Sequence, residues 1–299
     1  MAITTATNQA ANQAESVQQL QTLLNGAPIG VVGLGLMGGS LALDLRRLGF
    51  VVHGWVHRQA TAQRALERDL VNAVDLSAEL MKPCALVVLA LPLDQLIAPS
   101  EMLLSGLPAA AVVTDMGSVK APVEAALGSR LPRFVPSHPM AGTAAAGVEA
   151  GVEGLFKGRP WVITAAKGRD PAALALVETL ALALGAIPVH CDASTHDQAV
   201  AFISHLPVLV GAALLQSAAL GDPLAQQLAS TGFADTTRVG GGNPQLGRLM
   251  AQTNRSALLT ALDCYKKELQ LLTELVENEQ WEKLEQKLSQ CQELRGQFV

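Results

Sequence analysis

From Ile29 onward, short apolar runs alternate with longer stretches whose apolar residues recur at helical spacing. The runs Ile29–Leu34, Phe50–Val56, Ala85–Leu91 and Ala111–Asp115 read as buried parallel strands, apolar on both faces. Between them Leu36–Leu48, Ala60–Arg68, Leu93–Leu104 and Val119–Leu127 carry the helical period. Gly49 closes the first of these helices and Pro92 stops the third strand, while Phe134–Pro136 reads as a last short strand. Such β-α-β alternation predicts an α/β fold with a Rossmann-like doubly wound sheet.

A smaller α/β stretch follows. Trp161–Ala165 and Ile187–Cys191 read as strands, and Asp170-Pro171 caps a helix running to about Leu184. Beyond Asp192 the pattern is helical to the end, with segments at Leu224–Thr231, Gln245–Thr253, Ser256–Asn278 and Trp281–Leu294. Residues 200–220 are apolar nearly all round, so that helix is expected to be buried by pairing of two copies. Residues 1–27 are polar and rich in Gln, Asn and Ala, and read as a flexible N-terminal tail with a short helix at Glu15–Leu24. The expected organisation is a tail at 1–27, a dinucleotide-binding domain at 28–190 and an all-helical substrate-binding and dimerisation domain at 191–299.

Composition narrows the classes. With 49% hydrophobic and 16% charged residues, the 299-residue chain has enough apolar surface for two cores. A net charge of −5 offers no basic footprint, so no nucleic-acid partner is expected. The cysteines at 84, 191, 264 and 291 match neither a zinc motif nor a disulfide framework, and read as reduced thiols. The first cation is Arg46, so neither a secretory nor a transit leader is expected, and the apolar run Leu206–Leu215 is too short for a bilayer. A cytoplasmic protein with no membrane partner is expected.

Gly33-Leu34-Gly35-Leu36-Met37-Gly38 follows a predicted strand and opens a predicted helix, the context in which a GxGxxG pattern binds a dinucleotide. Gly33 permits the tight turn, Gly35 lets backbone approach the pyrophosphate, and Gly38 lets the helix pack on the strand. The amides at Leu36 and Met37 face the anion. An NAD enzyme usually ends the second strand in a carboxylate that binds the ribose hydroxyl. Here the strand runs Val52-His53-Gly54-Trp55-Val56 and continues as His57-Arg58-Gln59. Arg58, helped by His57 and Gln59, suits a 2′-phosphate, so the expected cofactor is NADP.

About a hundred residues after the fingerprint comes Ser137-His138-Pro139-Met140-Ala141-Gly142. A loop histidine there is well placed to take a proton while a cofactor takes a hydride. With Thr114-Asp115-Met116-Gly117-Ser118-Val119-Lys120, Ser204-His205-Leu206-Pro207 and Arg238-Val239-Gly240-Gly241-Gly242-Asn243-Pro244, the chain resembles the prephenate/arogenate dehydrogenase family. It is most similar to the NADP-dependent, arogenate-using members of cyanobacteria. The resemblance runs from about Ile29 to about Gln280. It implies oxidative decarboxylation of a cyclohexadienol whose ring becomes aromatic, without a metal.

That resemblance implies the roles. His138 matches the catalytic histidine, and Ser118 matches a serine near the nicotinamide, although a serine before Val119 would also cap a helix. Arg238 matches the arginine that binds the substrate carboxylate; it is the sole Lys or Arg between Arg169 and Arg248. Ser204 and His205 lie on a segment that faces the site in the family, and Asn254 and Asn243 are polar positions near it. His196 lies nine residues before His205, half a turn away on a regular helix, and is expected to face away from the site. Prephenate-specific members carry a histidine directly after the Leu-Pro, where this chain has Val208. That departure favours arogenate as substrate and tyrosine as product, with prephenate as the alternative. All the length is accounted for without a regulatory domain, so tyrosine feedback is expected to act at the active site.

Three rival readings are weighed on particular residues. A β-hydroxyacid dehydrogenase would need a lysine in the helical half, and none lies between Lys167 and Lys266. A ketol-acid reductoisomerase would need glutamate metal ligands, and none lies between Glu178 and Glu268. A non-catalytic NADP sensor would have no use for His138, Ser118 and Arg238 together.

Overall fold

The computed structural model describes residues 2–143, 145–164, 168 and 170–298. The chain opens with α1 (Ala2–Leu24), then β1 (Ile29–Val32), α2 (Leu36–Arg47), β2 (Val52–Trp55), α3 (Gln59–Glu67) and β3 (Ala73–Asp75). There follow β4 (Leu86–Leu89), α4 (Leu93–Ile97), α5 (Glu101–Gly106), β5 (Val112–Asp115), α6 (Ala121–Leu127) and β6 (Phe134–Val135). These six strands form one parallel sheet in the order β3-β2-β1-β4-β5-β6, the doubly wound arrangement anticipated. Strand order reverses between β1 and β4, so the crevice at their carboxyl ends lies beside Gly33.

The central strands β1 and β4 are apolar throughout because both faces are covered. Ile29, Val31, Leu86, Val88 and Val112 pack with Leu41 and Leu45 of α2 on one side. Val32, Val87, Leu89 and Val113 pack with Leu93 and Leu96 of α4 and with Val123 and Leu127 of α6 on the other. The single helix expected over 93–104 is two, α4 and α5, interrupted where Pro99 drives Ala98 out of helical geometry.

A second sheet joins β7 (Ser137–Pro139), β8 (Pro160–Ile163) and, after α7 (Pro171–Ala183), β9 (Ile187–His190). β7 runs antiparallel to β8, with His138 opposite Val162, and β8 runs parallel to β9. His138 therefore stands on a strand rather than in the loop expected from its Pro and Gly neighbours. The expected end of the 161–165 strand, Ala165, lies outside the described residues. Asp170 caps α7 by accepting from the Ala172 amide at 2.9 Å.

The expectation of a flexible tail is corrected. α1 lies along α7, burying Leu20 and Leu24 in the main core, and Gln13 Nε2 donates to the Ala183 carbonyl at 3.0 Å. The polar composition hid this docking because only the few apolar positions on one face of α1 make it.

The helical half begins with α8 (Ala193–Val200), a π-helical segment at Ala201–His205 and α9 (Leu206–Ala219). These run on as Ala193–Ala219, a helix long and apolar enough to cross a membrane by length and composition, which the run Leu206–Leu215 alone did not suggest. Then come α10 (Leu224–Leu228), α11 (Thr231–Thr237), α12 (Pro244–Thr253), α13 (Arg255–Glu277) and α14 (Trp281–Phe298). α12 reaches back onto the first sheet's helical layer through Leu249 and Met250. α8 packs on α6, so the start of the helical half lies against the loop after β5.

Candidate active site

The cofactor turn has the crowding the fingerprint requires. Gly33 adopts φ +90°, and a Cβ there would strike the Ala90 carbonyl at the end of β4. A Cβ on Gly38 would strike the Gly33 carbonyl, so α2 sits tightly on the turn. At Gly35 a Cβ would meet nothing, which leaves open space over the α2 N-terminus. Among the described residues no side chain caps that terminus, which suits the Leu36 and Met37 amides to an anion. These features fit a dinucleotide. At the end of β2, His57, Arg58 and Gln59 are all exposed; among the described residues Arg58 makes no ion pair or side-chain hydrogen bond.

His138 is buried on β7, at the junction of both sheets with α8. Its Nδ1 lies 2.9 Å from Nε2 of His196, whose Nδ1 lies 2.7 Å from Oδ1 of Asp197. The carboxylate accepts from His196 Nδ1–H, leaving Nε2 of the neutral imidazole to accept from His138 Nδ1–H. That tautomer frees the His138 Nε2 lone pair to accept a proton. Burial, followed by the His196, Lys120 and His205 charges, holds His138 well below the ordinary imidazole range. The ring is thus neutral near pH 7, the form a base requires.

His196 was expected to face away, and this is corrected. The π segment Ala201–His205 takes an extra residue per turn, so the half-turn phase of a regular α-helix no longer holds between His196 and His205. Pro207 supplies the cause: it lacks an N–H and its ring crowds the carbonyl four residues back, which a wider turn accommodates. His205 is buried beside Asn254, whose Nδ2 donates to the Asp197 carbonyl at 2.7 Å and to His205 Nδ1 at 3.2 Å. The carbonyl can only accept, which fixes the Asn254 amide orientation and puts the His205 proton on Nε2. Burial pushes His205 down to about 4 against the opposing Asp197 charge.

Ser118 is not a helix cap. Pro122 sets the start of α6 at Ala121, and the cap comes from across the molecule: Asp197 accepts from the Lys120 and Ala121 amides at 2.7 and 2.9 Å. Among the described residues Ser118 Oγ is buried without a hydrogen-bond partner, and the His205 ring lies against the Ser118 backbone. A buried polar atom is costly when unpaired, which sets the Ser118 hydroxyl apart from its surroundings.

Lys120, Asp115, His196 and Asp197 were not singled out from sequence as site residues. Their signal lay in the Thr114–Lys120 motif and the His196-Asp197 pair, but nothing in spacing shows that they converge. Ser204 is half-buried within the π segment. Asn243 instead caps α12, its Oδ1 accepting from Gln245 at 2.9 Å. Arg238 is exposed at the end of α11, and among the described residues has no ion pair or side-chain hydrogen bond. The turn after it meets α9, where Gly240 and Gly211 touch so closely that no Cβ fits on Gly240.

Residues 41–189 match the family described as prephenate dehydrogenase, nucleotide-binding domain, and residues 192–290 match prephenate dehydrogenase, dimerization domain. The Bacillus subtilis prephenate dehydrogenase is 30% identical over 264 residues, covering 85% of this chain and 71% of that protein. The solved Synechocystis arogenate dehydrogenase is 42% identical with a TM-score of 0.76, over 91% of this chain and 100% of that one. The A. aeolicus prephenate dehydrogenase, solved with hydroxyphenyl propionate and NAD+, is 29% identical with a TM-score of 0.84, over 91% of this chain and 98% of that one.

Proposed function

From the prephenate dehydrogenase family, to which this chain belongs, we propose an arogenate dehydrogenase that forms tyrosine with NADP as its cofactor. The observation that carries this reading is a neutral His138 with Nδ1 engaged by His196 and Nε2 free. Nearby, Ser118 Oγ, without a hydrogen-bond partner among the described residues, is suited to a substrate or cofactor oxygen.

The residues divide the work as follows. His138 Nε2 takes the proton of the ring hydroxyl as that carbon becomes a carbonyl-like centre. Asp197 and His196 hold the imidazole in the tautomer this transfer needs. Ser118 Oγ and His205 Nε2–H orient the substrate oxygens, while Ser204 lines the same segment. Arg238 pairs with the substrate's carboxylate by its bidentate guanidinium. The carboxylate on the opposite ring carbon leaves as carbon dioxide, its electron pair completes the aromatic ring, and the resulting phenolate oxygen takes back the proton from His138. The nicotinamide, when bound, supplies the hydride acceptor. Gly33, Gly35 and Gly38 with the Leu36 and Met37 amides hold its pyrophosphate.

NADP is favoured over NAD because β2 ends without a carboxylate and exposes Arg58 beside His57 and Gln59. Arogenate is favoured over prephenate by the apolar Val208 and by the 42% identity to the Synechocystis arogenate enzyme. A second copy of the chain is the partner. Much of the apolar helix Ala193–Ala219 is left uncovered in one copy, and Leu220, Leu228, Leu259 and Leu269 are exposed in the same half.

NADPH formation, followed by absorbance with arogenate and prephenate, each with NADP and NAD, tests the reading. Turnover with arogenate and NADP supports it. Turnover with prephenate alone overturns the substrate, turnover with NAD alone overturns the cofactor, and no turnover with any pair despite cofactor binding revives the rival dehydrogenases and the sensor.

A further inference from the structure

The side chain of Lys120 is wholly buried, yet it touches no candidate ligand position. Its Nζ pairs with Asp115 Oδ2 at the end of β5 and donates to the Ser137 carbonyl at 2.7 Å, next to His138. Its backbone amide donates to Asp197 Oδ1, the same oxygen that faces His196. Asp115 also accepts from the Gly117 amide at 2.8 Å and the Ser137 amide at 3.2 Å. Ser137 Oγ is held in turn between Thr114 Oγ1 and the Asp115 carbonyl, both at 2.8 Å. One residue therefore joins the Ser118 loop, the His138 strand and the His196-Asp197 pair.

An ion pair with no exposed surface gains little stability, because desolvation offsets the attraction. Apolar residues of similar size would fill the same space. What they would not supply is a fixed distance between the loop of Ser118 and the strand of His138, nor a cation behind the base.

We propose that Lys120 is a positioning residue for the reaction, tying the Ser118 loop, the His138 strand and Asp197 into one geometry. This rests on the reading of His138 as the base. The charged and titratable groups around that ring are His196 and Asp197 from α8, His205 from the π segment, Lys120 from the loop after β5, and Asp115 behind it. The Lys120 charge adds to burial in disfavouring a second cation on His138.

Two variants test the role in the full-length chain: Lys120→Met, and Lys120→Met with Asp115→Asn, which leaves no buried charge unpaired if the single variant fails to fold. In the folded variant, kcat with arogenate falls about tenfold or more while KM and NADP affinity change less than about threefold. The acid limb of the kcat profile moves to higher pH. Independently of turnover, the imidazole 15N signal of His138, assigned by its loss in His138→Asn, titrates at higher pH than in the wild type. If the wild type turns over no substrate, the functional reading fails while the 15N shift still reports on Lys120. A folded single or double variant whose kcat is unchanged, or falls only in step with the unfolded fraction, overturns the role, as does an unmoved 15N midpoint in a folded single variant.

Discussion

His138 and His196 meet edge to face, their ring centroids 5.1 Å apart and their planes at 78°. The contact joins a strand of the second sheet to the first helix of the helical half. It makes the proposed base depend on residues that lie 58 positions further along the chain.

If His196 orients His138, replacing it damages turnover more than binding. His196→Leu is expected to lower kcat by about ten- to a hundredfold, with both KM values within about threefold. Steady-state rates check this, and an unchanged kcat removes His196 from the machinery.

Two buried neutral histidines make stability depend on pH. His138 and His205 have folded-state values below the ordinary 6.5, His205 at about 4. The unfolded chain therefore binds more protons between pH 6.5 and 4, and stability is full above 6.5 and lost as pH falls through that window. For His205 the loss is at most about 3 kcal/mol. Urea unfolding from pH 7 to 4.5 reads the slope. The His205→Gln variant is expected to flatten it, and an equal slope in the two proteins contradicts the assignment.

The glycines of the cofactor turn separate folding from binding. Gly35→Ala adds a methyl in open space, so the melting temperature stays within about 2 °C while NADP affinity drops about tenfold or more. Gly38→Ala drives a methyl into the Gly33 carbonyl and lowers the melting temperature itself. Calorimetry with and without NADP distinguishes the two, and equal effects would contradict their different surroundings.

The first helix is part of the core rather than an appendage. Leu20 is fully buried among residues of α7, so Leu20→Ala costs about 2–4 kcal/mol in chemical denaturation. A change below about 0.5 kcal/mol means α1 undocks freely.

The strands β1, β4 and β5 were legible because burial on both faces leaves an uninterrupted apolar run, and the glycine turn because its crowding demands glycine at fixed spacing. β7 was not legible: three residues, two of them polar, carry no period. The His138–His196 pairing was hidden for another reason. A sequence read with regular α-helical geometry has no place for a π turn, and Pro207 marks a disturbance without saying how the phase shifts. Asp197 capping α6 is likewise a contact between distant segments, whereas the Asp170 cap of α7 is local and was read correctly. Arg238 was legible through the family motif it belongs to and through its isolation from other cations, and among the described residues its exposed side chain has no ion pair.

The most direct measurement is turnover by His138→Asn at saturating arogenate and NADP, with NADP binding followed by fluorescence. A hundredfold or greater loss of kcat with NADP affinity retained is the result expected of a general base. Turnover within about threefold of the wild type would contradict the assignment of His138 and, with it, the relay through His196 and Asp197.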